Sequence, residues 1–126
     1  MSKYDFSGKA TALLDVLLSF GNKTVVEGKA KSASRARSAS QSRSQFIGVS
    51  KNGDKWQALI TVNKRKTYIG SYSCEQHAAV AFDFYSIVLH YFTATTNFSY
   101  AKQDVIDMIA NFKNNGDELR PEELHF

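Results

Sequence analysis

Between residues 46 and 72 the apolar positions recur at every second place. Residues 46–50 form a brief apolar run, 55–62 alternate strictly, and 66–72 alternate again with aromatic and β-branched residues. In the middle segment Trp56, Ala58, Ile60 and Val62 share one face, and Gln57, Leu59 and Thr61 share the other. The connections carry turn residues, Asn52-Gly53-Asp54 and then Asn63-Lys64-Arg65. Loops this short join only antiparallel neighbours, so the pattern predicts a three-stranded meander.

At Ser73 the period changes to that of a helix. Ser73 is the expected N-cap, with Gln76 completing a capping box, and residues 75–92 contain no Gly or Pro. Ala78, Phe82, Tyr85, Leu89 and Phe92 make one apolar stripe for the sheet, and Ala78, Ala79 and Ala81 allow close approach. One helix covers one face of a three-stranded sheet, so the other face stays open. The same helix has a second apolar face, Val80, Phe84, Ile87, Val88 and Tyr91, which needs its own cover.

Two further segments are candidates for that cover. Residues 101–113 predict a helix with Val105, Met108, Ile109 and Phe112 on one side. Residues 9–20 predict a short one ending at Gly21-Asn22, apolar at Leu13, Leu14, Val16, Leu17, Leu18 and Phe20. If neither covers the face, a partner protein does, and Leu13, Leu17, Phe20, Phe84, Val88 and Tyr91 are the candidate partner-binding residues. The fold class expected is α+β: a three-stranded antiparallel β-sheet packed on one long α-helix, with additional N- and C-terminal helices. The organisation expected is an N-terminal segment 1–28 with its apolar helix, a linker 29–44, a sheet-helix domain 45–100, and a C-terminal helix with an acidic, unstructured tail, 101–126. The linker, KAKSASRARSASQSRS, has no apolar side chain larger than Ala and is expected to be disordered.

Composition narrows the class. A hydrophobic content of 43%, with nine Phe and six Tyr, is ample for a small core. The single cysteine, Cys74, excludes an internal disulfide framework and points to a reducing compartment. No apolar run is long enough to span a membrane, and the N-terminus lacks the order of a secretory signal. The net charge of +4 is unevenly spread. Residues 1–45 carry eight Lys/Arg against three acids, and 46–72 carry five against one. Residues 73–100 carry no Lys/Arg and two acids, and 101–126 carry three against six. A polyanion would therefore meet the arm and the sheet rather than the helical back. Four Lys/Arg in residues 29–37 form a weak nuclear-import pattern, which makes a nuclear location the expectation.

Catalytic chemistry finds little footing. His77, His90 and His125 are not spaced with Cys74 as metal ligands. Glu75 and His77 lie two apart on a helix and do not face each other. There is no phosphate-cradling loop and no nucleophile-base set, so no enzyme, cofactor or metal is expected.

Several short motifs fall in a telling order: Phe46-Ile47-Gly48-Val49, Lys55-Trp56, Tyr68-Ile69-Gly70-Ser71-Tyr72, Ala78-Ala79, Phe82-Asp83 and Asn97-Phe98. In this order residues 45–98 resemble the plant ethylene-response-factor DNA-binding domain, also called the Apetala-two domain. The resemblance implies a sheet that enters the major groove of double-stranded DNA, with contacts at Ile47, Ser50, Leu59, Thr61, Lys66 and Tyr68. Family members carry Arg at several of these places; here only Lys66 keeps a positive charge and only Tyr68 an aromatic ring. Asp83 and Asn97 are expected to tie the helix to the closing segment by hydrogen bonds.

The candidate DNA-binding residues are Ser50, Lys51, Gln57, Leu59, Thr61, Lys64, Arg65, Lys66 and Tyr68. Alternation puts Gln57, Leu59, Thr61, Lys66, Tyr68 and Gly70 on the open face, flanked by Ile47, Ser50 and Lys51. Three uses of that face remain open. It could read an A/T-containing site through Gln57 and Leu59 or Thr61, grip phosphates through its Lys and Arg with little sequence preference, or dock a protein. The alternative from a different class is a small accessory subunit of a larger complex, bound through its apolar helix faces. A double-stranded-RNA-binding domain shares the helix, three strands, helix order, but the second helix has no Lys near its start.

Overall fold

Gly53 has a positive φ of 68° and Asp54 does not, the sign pattern of a type II′ turn. That turn joins β2 (Val49–Asn52) to β3 (Lys55–Val62). At the next turn Asn63 (φ 51°) and Lys64 (φ 68°) are both left-handed, the sign pattern of type I′, and the chain returns as β4 (Arg65–Tyr72). The three strands form one antiparallel sheet in the order β2-β3-β4. The computed structural model describes residues 5–19, 24–26, 28 and 46–124. The 29–44 linker, its import pattern, Phe20 and His125 lie outside the described residues.

The remaining elements are α1 (Phe6–Leu17), β1 (Thr24–Val26), α2 (Glu75–His90), β5 (Tyr100–Ala101) and α3 (Lys102–Asn114), with 3-10 turns at Tyr91–Thr93 and Pro121–Glu123. The fold is α+β, with three antiparallel strands in one sheet and three α-helices. A second, two-stranded sheet pairs β1 with β5, Thr24 opposite Ala101 and Val26 opposite Tyr100.

Helix α2 packs on the sheet through small residues. Ala78, Ala79 and Ala81 are fully buried, as are Ala58 and, almost wholly, Ile60 and Val62 of β3. Gly48 fixes the approach to β2: its φ is +77°, and a Cβ there would stand 2.1 Å from the Phe82 ring. Only glycine fits both the backbone and the space. The N-cap of α2 is Cys74, not Ser73, and no side chain caps it; the Cys74 thiol instead contacts Gln76 Oε1 at 3.2 Å.

The second face of α2 is covered from within the chain. Phe84 lies 5.1 Å from the Phe112 ring of α3, and Tyr85, which spacing assigned to the sheet stripe, lies 4.5 Å from the Phe6 ring of α1. Leu13, Leu17, Phe84 and Val88 are all fully buried in one core with Val105, Met108 and Ile109. This corrects their assignment as partner-binding residues, because the apolar surface they offered is spent on α1, α2 and α3 themselves. Tyr91 is half-buried, with the Lys9 ammonium 5.5 Å from its ring. Residues of α1, the sheet, α2 and α3 contribute to the same core.

Helix α1 begins earlier than the apolar pattern indicates. Asp5 caps it, accepting from the Gly8 N–H at 2.9 Å, and the helix ends at Leu17. From α3, the Lys113 ammonium donates to Ser7 O and Thr11 Oγ1 of α1, at 3.1 and 2.6 Å. The acidic tail is structured: Asn111 accepts from the Arg120 N–H (2.7 Å) and donates to the Arg120 carbonyl (2.9 Å), and Leu119 and Pro121 are buried. Asn side chains that mimic a backbone turn partner explain why a polar sequence is held in place.

Candidate nucleic-acid interface

The face of the sheet away from α2 is built in cross-strand rows. Ser50, Gln57 and Ser71 stand opposite one another across β2, β3 and β4. Leu59 faces Tyr68 in the next row, and Thr61 faces Lys66 in the third. Within the first row Gln57 donates its side-chain amide to Ser50 Oγ at 3.3 Å. Tyr68 is 59% exposed, and Leu18 is the other large apolar side chain with high exposure among the described residues. Lys64, Arg65 and Lys66 are exposed at the β3–β4 end of this face.

A β-bulge sets which residues reach the face. Ala58 pairs with Gly70 but Leu59 pairs with Tyr68, so Ile69 is the extra residue. The bulge reverses the phase of β4. Gly70, expected on the open face, lies on the helix side opposite Ala58, with the Tyr72 hydroxyl beside it. Ser71 takes the open place instead. Sequence alternation missed Ser71, and the available signal was a glycine inside a strand pattern, which marks bulges.

Lys51 needs a similar correction. It stands opposite Trp56 in register, on the helix side, with its ammonium 5.7 Å from the indole ring. That is a cation–π contact at the rim rather than a position on the open face. The structure therefore brings together Ser50, Gln57, Leu59, Thr61, Lys66 and Tyr68, with Lys64 at the hairpin, and leaves Lys51, opposite Trp56, and Arg65, opposite Val62, on the helix side.

Asp83 and Asn97 carry the sheet's geometry. The Asp83 carboxylate is fully buried and accepts from the Asn97 N–H (2.7 Å), the Asn97 amide (3.1 Å), the Phe98 N–H (3.0 Å) and the Tyr100 hydroxyl (2.8 Å). Asn97 in turn accepts from the Ile47 N–H at 2.6 Å and donates to the Ile47 carbonyl at 3.1 Å. One buried acid thus ties α2 to the closing segment and to the entry of β2. Burial pushes its pKa up from 3.8 to about 7, against the pull of the donors from Asn97, Tyr100 and Phe98. Burial also raises the Tyr100 phenol well above its ordinary range, with the neighbouring Asp83 charge adding to it.

Beside the β2 edge of the sheet runs an open groove of about 510 Å³, lined by residues including Ile47, Leu59, Thr61, Phe82, Ser86 and His90. It lies where β2 begins only at Val49, opposite Ala58, while β3 runs on to Val62. Among the described residues no cluster of His, Cys, Asp or Glu could hold a metal ion. No protein-family model matches the chain, and no curated protein does.

Proposed function

We propose that the chain is a DNA-binding module that lays the open face of its three-stranded sheet into the major groove. The observation that carries this reading is the one-sided charge: Lys64 and Lys66 edge the open face with Arg65 beside them at the hairpin, while residues 73–100 behind it contain no Lys or Arg. The major groove admits a two-stranded β-ribbon, and the β3–β4 hairpin supplies one with its outer face free. Phosphates would meet the hairpin, and base edges would meet Ser50, Gln57, Leu59, Thr61 and Tyr68. The order of motifs shared with the Apetala-two domain supports the same use, and a role in transcription regulation within the nucleus follows from it. For the accessory-subunit alternative the large, highly exposed apolar side chain beside the described helices is Leu18, 63% exposed at the C-cap of α1.

A salt titration on random duplex DNA tests the proposal. If about three phosphates are neutralised, the logarithm of affinity falls with the logarithm of salt at a slope of about −2.7. Reversing Lys64, Arg65 and Lys66 together to Glu is expected to abolish binding while leaving the melting temperature within a few degrees. Salt-independent binding, or none, would sink the proposal.

A further inference from the structure

Resting on that reading, we infer that the open face selects A·T-containing sites, with Gln57 reading adenine and Leu59 seating a thymine methyl. Of the two guanine readers, Arg is absent from the three rows and Lys occurs once, as Lys66 in the third; the first two hold Ser50, Gln57 and Ser71, then Leu59 and Tyr68. Gln57 is already oriented. One N–H of its amide is held by Ser50 Oγ at 3.3 Å, and a Gln amide has two N–H groups and an acceptor oxygen. The remaining N–H and the oxygen are the pair that adenine N7 and N6 require in the major groove.

The second row adds a different constraint. Leu59 stands next along β3 on the same face as Gln57, opposite Tyr68. Two residues along a strand span roughly 6.7 Å. That matches two base-pair steps of about 3.4 Å each. An apolar side chain in that place would strip water from the guanine acceptors or the cytosine amino group without replacing their hydrogen bonds. Thymine offers the one apolar group on the major-groove edge. Thr61, two residues and so two base-pair steps further on, presents a hydroxyl and a methyl and accepts either pair.

Four alternating duplexes, at one salt concentration, separate the possibilities: dA–dT, dA–dU, dI–dC and dG–dC. Inosine–cytosine keeps the minor-groove edge of an A·T pair but presents a guanine-like major groove. The expected order has dA–dT bound about tenfold or more tighter than dI–dC and dG–dC, which is one bidentate pair of discrimination. Loss of the methyl in dA–dU costs about fourfold. Gln57→Ala and Leu59→Ala erase these preferences, the first between dA–dT and dG–dC and the second between dA–dT and dA–dU, with the salt slope unchanged. Equal affinity for all four duplexes with a normal salt slope overturns this inference and leaves the DNA-binding proposal standing. Tight binding to dI–dC equal to that for dA–dT moves the reading to the minor groove and overturns it too. Salt-dependent binding to none of the four overturns both.

Discussion

Asp83 shows at a single residue how the platform is held. Its carboxylate answers two backbone N–H groups, one amide and one hydroxyl, so Asp83→Asn turns an acceptor into a donor among donors. That change is expected to cost about 3 kcal/mol, read by urea unfolding. The pH dependence has a definite sign. An unfolded Asp loses its proton near 3.8, whereas the folded chain holds it to about 7. Within that window the native state binds the extra proton, so its stability falls as pH rises from about 4 to about 7. The Tyr100 hydroxyl can turn to accept from the protonated acid, so the same geometry serves both forms. Melting temperatures at pH 4.5 and 7.5 check this: the wild-type chain loses stability across the interval relative to Asp83→Asn, whose amide does not titrate.

Among the elements, the β3–β4 hairpin combines the proposed phosphate contacts with backbone strain. Asn63 and Lys64 both adopt positive φ, a conformation that asparagine tolerates and lysine does not favour. Lys64→Gly is expected to raise stability by about 1 kcal/mol. If Lys64 grips a phosphate, the same substitution lowers duplex affinity and flattens the salt slope by about 0.9. Calorimetry and binding then move in opposite directions, an outcome that a merely solvated turn would not give. This element was also where sequence reading met its limit. The meander, its order and the inward set Trp56, Ala58, Ile60 and Val62 were legible because alternation is strict there. The bulge at Ile69 was not, since a single extra residue alters the phase without altering the composition. Lys51 was misplaced for a related reason: β2 is only four residues long, too short to show its own period. At α2 the capping motif pointed to Ser73, one residue before the actual cap.

For the whole molecule, the α1 and α3 helices are part of the core, not appendages to a sheet-helix domain. Apolar spacing revealed both helices, and the excess of apolar surface on α2 required a cover. Spacing alone did not say whether that cover came from the same chain. The distinction is measurable. Leu17 is fully buried, so Leu17→Ala is expected to cost about 2–5 kcal/mol in the isolated chain. Leu18, its exposed neighbour, should cost less than about 0.5 kcal/mol when changed to Ala. Were α1 instead a handle for another protein, the two substitutions would weaken the lone chain equally little. The tail was misread because its anchors are asparagine side chains, which composition assigns to loops. Asn111 holds Arg120 from nine residues away, and no periodic pattern records that.

The hydrogen bonds from Lys113 to Ser7 and Thr11 join positions more than a hundred residues apart. During synthesis α1 is available to the back of α2 early, but the part that Phe112 of α3 covers stays open until Phe112 has left the ribosome. Long-range closure of this kind is slow and exposes a sticky intermediate. Chaperone demand should thus fall most heavily on nascent chains paused between α2 and α3.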